Sequence, residues 1–166
     1  MRAMIVKILV LMLSACAPEH FHPYRLDISG FEDLVASFKA FGLAQGRIIE
    51  IDDLIIEFSD SIAAGGEDGL CVLNENQTPI ILISRHFWAH SDSVHEEILL
   101  FHELGHCILG RRNHNNATTT INNGVEDISV PVSVMTYSNE NFDVPGGIDY
   151  YTTRHDSFMK ELFSRQ

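Results

Sequence analysis

Basic residues are scarce in this chain of 166 residues: 11 lysines and arginines stand against 23 aspartates and glutamates, a formal net charge of −12. Binding to the phosphates of nucleic acid needs a cluster of basic side chains, and the sequence shows none. A nucleic-acid partner is therefore not expected. The acidic excess favours solubility, with a preference for basic substrates as the alternative.

A short apolar stretch, IVKILVLMLSA, lies near the beginning of the chain. Arg2 precedes it and Lys7 lies within it, and these two basic residues make up a charged start. The stretch is too short to cross a bilayer, which takes about 20 apolar residues. A charged start and a short apolar run are typical of an export signal. Residues 1–15 are therefore predicted to be a signal peptide.

The signal ends in the sequence Leu-Ser-Ala-Cys at residues 13–16, which resembles the lipobox of bacterial lipoproteins. The resemblance implies that the Cys16 thiol is acylated and that this residue begins the mature chain. Ala17 follows it rather than an aspartate, so anchoring in the outer membrane is expected. Residues 16–28 are predicted to be a tether between the lipid and the folded domain.

Cysteine is also rare, with only three in the chain. If Cys16 carries the lipid, Cys71 and Cys107 remain as an even pair in an oxidising compartment. A disulfide bond between them is therefore expected. The alternative is two free buried thiols, which behave as small apolar side chains.

Apolar residues recur at helical spacing in three parts of the chain. The first is residues 31–46. The second begins at Ser93, which with Glu96 makes a capping box, and ends at Gly110. The third is residues 149–164, a predicted C-terminal helix.

Strands are predicted between the first two helices. Residues 47–60 carry β-branched and apolar residues in near-alternation, which favours a strand or a pair of strands. Residues 70–84 indicate two short strands around a polar turn at 74–77. The polar, turn-rich segment 111–132 is predicted to be a long loop. The length fits one folded domain, residues 29–166.

The second helix carries the sequence HELGH, with His102 and His106 four residues apart. Side chains at this spacing lie on one face of a helix, so both imidazoles can bind one zinc ion. Glu103 lies next to the first histidine, where its carboxylate can take a proton from a water activated by the metal. The sequence therefore predicts a catalytic zinc site with Glu103 as general base.

A catalytic zinc usually has three protein ligands, so a further ligand is needed. Gly110 ends the helix, and Arg112 has no lone pair to donate. The next suitable residue is His114, which we expect to be the third ligand. Glu126 and Asp127 remain as acidic alternatives, although they need a longer excursion of the chain.

Two segments together resemble the metzincin metallopeptidases. HELGHCILGRRNH, residues 102–114, is similar to their extended zinc motif, in which a glycine turn leads to a third histidine. SVMTY, residues 133–137, is similar to their Met-turn, and its methionine lies 32 positions after the glutamate of HELGH. The resemblance implies that Met135 forms an apolar floor beneath the metal. It also implies that Tyr137 stabilises the tetrahedral intermediate.

The motif departs from the family's usual spacing, which places glycine three and the last histidine six residues after the second histidine. Here Gly110 lies four residues after His106, and His114 lies eight after it. The usual positions hold Leu109 and Arg112. The turn before the third ligand is therefore two residues longer than the standard form.

The resemblance implies an α+β, zincin-like fold. A small, mostly antiparallel sheet with a backing helix lies above the active-site helix, and a C-terminal helix completes the floor. The implied function is zinc-dependent hydrolysis of peptide bonds, with Zn²⁺ as cofactor and a peptide or protein as substrate. The alternatives are a zincin with an acidic third ligand and a non-catalytic zinc-binding lipoprotein. Glu103 argues against the latter, because a structural zinc site needs no base.

Overall fold

The computed structural model describes residues 24–137 and 142–164, and these form an α+β fold, as expected. In chain order, the elements are β1 (Leu26–Asp27), α1 (Glu32–Ala44), β2 (Leu54–Ser59), a 3₁₀-helix (Ile62–Gly65), β3 (Gly69–Val72), β4 (Ile80–Ser84), α2 (Arg85–His90), α3 (Ser93–Cys107), β5 (Thr118–Asn122), β6 (Asp127–Pro131), α4 (Gly147–Thr153) and α5 (His155–Leu162). The predicted signal segment, with Cys16, lies outside the described residues.

The main sheet has four strands in the order β1-β2-β4-β3. β2 runs parallel to β1 and to β4, whereas β3 runs antiparallel to β4 at the edge of the sheet. A separate antiparallel hairpin is formed by β5 and β6. The sequence predicts a small, mostly antiparallel sheet. The antiparallel pairs in the structure are β3–β4 in the main sheet and β5–β6 in the hairpin. Alternating side chains do not encode strand direction, which explains why the parallel pairs were not foreseen.

Several predicted elements are confirmed. The helix expected in residues 31–46 is α1. The two strands expected around the turn at 74–77 are β3 and β4, and Gln77 N donates to Asn74 O across that turn at 3.2 Å.

The prediction of a long loop over residues 111–132 is wrong, since this segment contains the hairpin of β5 and β6. Exposed residues alternate with half-buried or buried ones along both strands, and the less exposed face carries Ile121, Ile128 and Val130. The turn is closed by Asn123, whose Oδ1 accepts the backbone N–H groups of Val125 and Glu126 at 2.9 and 3.0 Å. Side-chain hydrogen bonds at the turn therefore support the hairpin in addition to the burial of this small face.

Two helix boundaries also differ from expectation. The N-cap of α3 is Asp92 rather than Ser93, because Asp92 Oδ1 accepts the backbone N–H groups of Val94 and His95 at 3.0 Å each. The C-terminal helix is divided at Arg154 into α4 and α5. Neither difference changes the placement of His102 and His106 on α3.

The core lies where α1 and α5 pack against α3. Phe38 of α1 is fully buried, with its ring centroid 5.3 Å from that of Phe101 on α3 and 4.9 Å from that of Phe163. Burial of side chains of this size contributes about 1.5–3 kcal/mol each. These contacts fix the helix that carries His102 and His106. Among the described residues, no helix has the length and apolar character needed to cross a membrane.

Candidate metal centre

Helix α3 brings His102 and His106 together. Their four-residue spacing puts both imidazoles on one face, and the two ring centroids lie 4.7 Å apart. The two Nε2 atoms are 3.0 Å apart. His102 is 6% exposed and His106 is half-buried, so the pair sits at the floor of a cleft rather than on the open surface.

The chain then turns back to supply His114. Gly110 has a φ of +69°, a left-handed conformation that favours glycine, and Arg111 N donates to Gly105 O at 3.0 Å. The loop that follows places His114 Nε2 3.3 Å from His106 Nε2. Together with His102, these residues form a group whose ligand nitrogens all lie within 4.8 Å of one another. The three histidines are therefore positioned to bind a metal ion.

The acidic alternatives lie in the β5–β6 hairpin. Glu126 is exposed in its turn, and Asp127 Oδ1 accepts a hydrogen bond from Asn122 Nδ2 at 2.8 Å. Within the described part of the chain, neither belongs to a cluster of metal-binding side chains with His102 and His106.

Hydrogen bonds to carbonyl groups fix the tautomers of the two helical histidines. His102 Nδ1 donates to Val134 O at 2.8 Å, and His106 Nδ1 donates to Arg111 O at 2.5 Å. A carbonyl oxygen can only accept, so Nδ1 carries the proton and each neutral ring keeps a lone pair on Nε2. The 3.0 Å contact thus joins two lone pairs. This donor set fits a cation between them, as in many metal sites.

Burial also keeps these rings neutral. It lowers the pKa of His102 to about 4, and it lowers the pKa of His106 below its ordinary value. The neighbouring histidines act in the same direction, because a second positive charge is unfavourable nearby.

Glu103 lines the same cleft, at 5% exposure. Burial raises the pKa of its carboxyl group to about 8; the backbone N–H of Cys71 acts against this rise, and the charge of Glu67 adds to it. The edge strand β3 passes directly over the carboxylate at Gly69. A carboxyl group with a raised pKa beside three histidines suits proton transfer near neutral pH.

Met135 lies against α3, and Tyr137 lies beside His114. Met135 is fully buried beneath α3, and its Sδ lies 2.5 Å from the position that a Cβ on Gly105 would occupy. Tyr137 is 77% exposed, and its ring centroid lies 5.3 Å from that of His114. One side chain therefore supports the metal-binding helix from below, and the other flanks the third histidine at the cleft.

The cleft has a volume of about 610 Å³. Strand β3 and the residues before it form one wall, and α3 and the segments around His114 and Tyr137 supply the rest of the lining. An open groove beside the three histidines leaves space for a substrate as well as for a metal ion.

No protein-family model matches the chain, and neither a curated protein nor a solved structure gives a significant match. Function is therefore inferred from the chemistry of the site.

Cys71 and Cys107 agree with the predicted pairing, since their Sγ atoms lie at bonding distance, 2.03 Å, and their Cα atoms are 5.7 Å apart. Cys71 is on β3 and Cys107 directly follows His106 at the end of α3. The link therefore ties the wall of the cleft to the helix that carries two of the histidines.

Sequence reasoning missed a polar network beneath the site. It connects the buried Arg111 with Glu161 of α5, and it includes Asn115 and Ser133. No local pattern marks these residues as partners, because Glu161 is 50 residues from Arg111 in sequence.

Proposed function

We propose that this protein is a metzincin-type, zinc-dependent endopeptidase that hydrolyses peptide bonds in peptide or protein substrates. The observation that carries the proposal is the convergence of three histidine Nε2 atoms beside a buried glutamate in an open cleft. A purely structural metal site is closed by its ligands and has no need of a base.

Zinc is the metal that fits the donor set best. Imidazole nitrogens suit Zn²⁺, and three protein ligands leave a coordination position for water or substrate. His102, His106 and His114 would hold the ion. When bound, zinc lowers the pKa of a water molecule and polarises a carbonyl group.

Glu103 is proposed as the general base. Its carboxylate accepts the proton of the attacking water and then donates it to the amine that leaves. Burial suits both steps, because it brings the pKa of the carboxyl group close to neutral pH, where the group can both take up and release a proton. The Cys71 N–H keeps the carboxylate oriented towards the cleft.

Two further roles follow from the resemblance and from position. Tyr137, exposed beside His114, can donate its phenolic proton to the oxyanion that develops on the substrate. Met135 gives α3 an apolar support beneath the histidines. The proposal also places the enzyme at the outer membrane, through a lipid on Cys16.

The decisive experiment compares Glu103→Gln with the wild-type chain, using a dye-labelled unfolded protein as substrate. The variant should keep one zinc equivalent and lose turnover by about 10²–10⁴-fold, because the ligands remain while proton transfer fails. A chelator should abolish wild-type cleavage. Glu96→Gln, on the same helix but outside the cleft, is the matched control and should retain activity.

Full turnover by Glu103→Gln would overturn the role of this residue. Zinc binding by the wild-type chain without cleavage of any unfolded protein would instead support a non-catalytic zinc-binding lipoprotein.

A further inference from the structure

Glu161 lies on α5 and does not line the cleft. Its carboxylate nevertheless touches three segments that build the metal centre. Each of these segments carries a histidine, or the group that orients one.

The first segment is the turn after α3. Arg111 is buried, and its guanidinium donates to Glu161 Oε1 at 2.6 Å and to Oε2 at 3.2 Å. It also donates to the carbonyl groups of Glu161 and Leu162 at 3.0 and 3.1 Å. The carbonyl of Arg111 itself accepts from His106 Nδ1. Holding the arginine side chain therefore holds the oxygen that orients His106.

The second segment carries the third ligand. Asn115 directly follows His114, and its Nδ2 donates to Glu161 Oε1 at 3.2 Å. The backbone N–H of Asn115 donates to Met135 O at 2.6 Å. His114 is itself exposed, so its position depends on how its neighbours are fixed.

The third segment is the Met-turn. Ser133 Oγ donates to Glu161 Oε2 at 2.5 Å and accepts the backbone N–H of Met135 at 3.0 Å. Val134 lies between these two residues, and its carbonyl oxygen orients His102. The same carboxylate thus reaches the support of every histidine in the site.

We propose that Glu161 is a positioning residue of the metal centre, which sets the orientation of all three histidines through Arg111, Asn115 and Ser133. The inference rests on the metal site of the proposed function. Loss of a group that orients metal ligands commonly weakens metal affinity by about 10–100-fold. Glutamine at this position keeps the shape of the side chain but removes the negative charge that pairs with the buried Arg111.

The test compares Glu161→Gln with Glu97→Gln in the full chain. Glu97 is a matched control, because its carboxylate also joins helices, accepting from Tyr151 Oη at 2.7 Å and bonding His155 Nε2 at 2.9 Å, but neither partner lies in the three segments that Glu161 contacts. Zinc affinity is measured by competition with a chromophoric chelator. Ligand geometry is followed by the visible absorption of bound Co²⁺, and folding by thermal unfolding of the metal-free proteins.

Glu161→Gln should bind zinc about 10–100-fold more weakly and change the Co²⁺ spectrum. Glu97→Gln should lose thermal stability with affinity and spectrum unchanged. Unchanged zinc affinity and an unchanged Co²⁺ spectrum in a folded Glu161→Gln variant would overturn the inference while leaving the peptidase proposal intact. A wild-type chain that binds zinc but cleaves nothing would overturn the peptidase proposal and leave the role of Glu161 intact.

If Glu161→Gln does not fold, Ser133→Ala provides the answer. This variant removes the hydrogen bonds that Ser133 Oγ makes with Glu161 and with the Met135 N–H, and it leaves the ion pair with Arg111 in place. It should weaken zinc binding by at least about 3-fold, the effect of losing a single hydrogen bond. Wild-type affinity in Ser133→Ala would overturn the proposal.

Discussion

Gly69 allows the edge strand to pass directly over the proposed base. A Cβ at this position would lie 2.7 Å from Glu103 Oε1 and 2.9 Å from Leu99 Cδ1, closer than real side chains approach. Gly69→Ala should therefore displace the carboxylate, and a shift of about 1 Å in a catalytic group can lower turnover by about 10²-fold. Zinc content should stay at one equivalent, since no histidine contacts this position. Measuring turnover and bound zinc on the same sample checks both expectations.

Gly65→Ala is the control for this substitution. Gly65 lies in the 3₁₀-helix before β3, and open space surrounds the position of its Cβ. The control should leave turnover at the wild-type level. Equal turnover in Gly69→Ala would show that Glu103 tolerates a Cβ above it, contrary to the geometry.

At the scale of single residues, the sequence predicts contacts between residues that are near each other in the chain. His102 and His106 share a helix face, and His114 is the next suitable ligand after the turn at Gly110, so the sequence predicts that the three lie together. The ion pair between Arg111 and Glu161 could not be predicted in this way. It forms only when α5 packs under the turn after α3, and charged side chains without a nearby partner look like solvated surface residues.

Among the elements, β3 and α3 are joined by the bond between Cys71 and Cys107. The sequence separation is 36 residues, and a crosslink that closes a loop of this length contributes about 3–4 kcal/mol through the entropy of the unfolded chain. The double variant Cys71→Ser with Cys107→Ser should lose about this amount in urea unfolding of the metal-free protein. Thiol titration of the unfolded, unreduced wild-type chain should find neither residue reactive. Two reactive thiols there would contradict the bond.

Glu97 links α3 to α4 and α5 through Tyr151 and His155. Burial opposes ionisation of this carboxyl group, but the hydrogen bonds from the two partners outweigh it and hold the pKa below its ordinary value. The charged form therefore stabilises the fold at pH values above the unfolded pKa of about 4.5, and the contribution is lost as pH falls through the folded pKa. Glu97→Gln should lower the free energy of unfolding by about 1–2 kcal/mol at pH 7 and by less near pH 4.

Urea unfolding at both pH values, with a chelator present, measures this difference. The chelator removes metal binding, so protonation of the site histidines affects both variants alike. Glu57→Gln, exposed on β2, should show no such pH-dependent difference. A deficit of the same size at pH 7 and pH 4 would mean that the charge of Glu97 has no part in it.

The elements that the sequence predicts best are those with an extensive apolar face. Helix α1 was predicted because its residues, Phe38 among them, meet the core at helical spacing. The β5–β6 hairpin was missed because its apolar face is small, with Ile121, Ile128 and Val130 set among polar residues. One signal for it was present: Asn123 and Gly124 form an Asn-Gly pair, a frequent hairpin turn, and Gly124 has a φ of +91°. The polar composition favoured a loop, whereas the Asn-Gly pair indicated the hairpin that the structure contains.

For the molecule as a whole, metal binding should be coupled to folding. The three histidines come together only when α3, the turn at Gly110 and the segment 133–137 are in place, so the unfolded chain has no comparable site. A ligand that binds only the folded state stabilises it by about 2.7 kcal/mol at a free concentration one hundred times its Kd, and by about 1.4 kcal/mol more for each further tenfold increase. Urea unfolding over a series of buffered zinc concentrations should show this slope. His114→Ala should flatten it, whereas Asp127→Ala should retain it. If Asp127→Ala flattens the slope and His114→Ala does not, the third ligand is the carboxylate and the metzincin proposal fails.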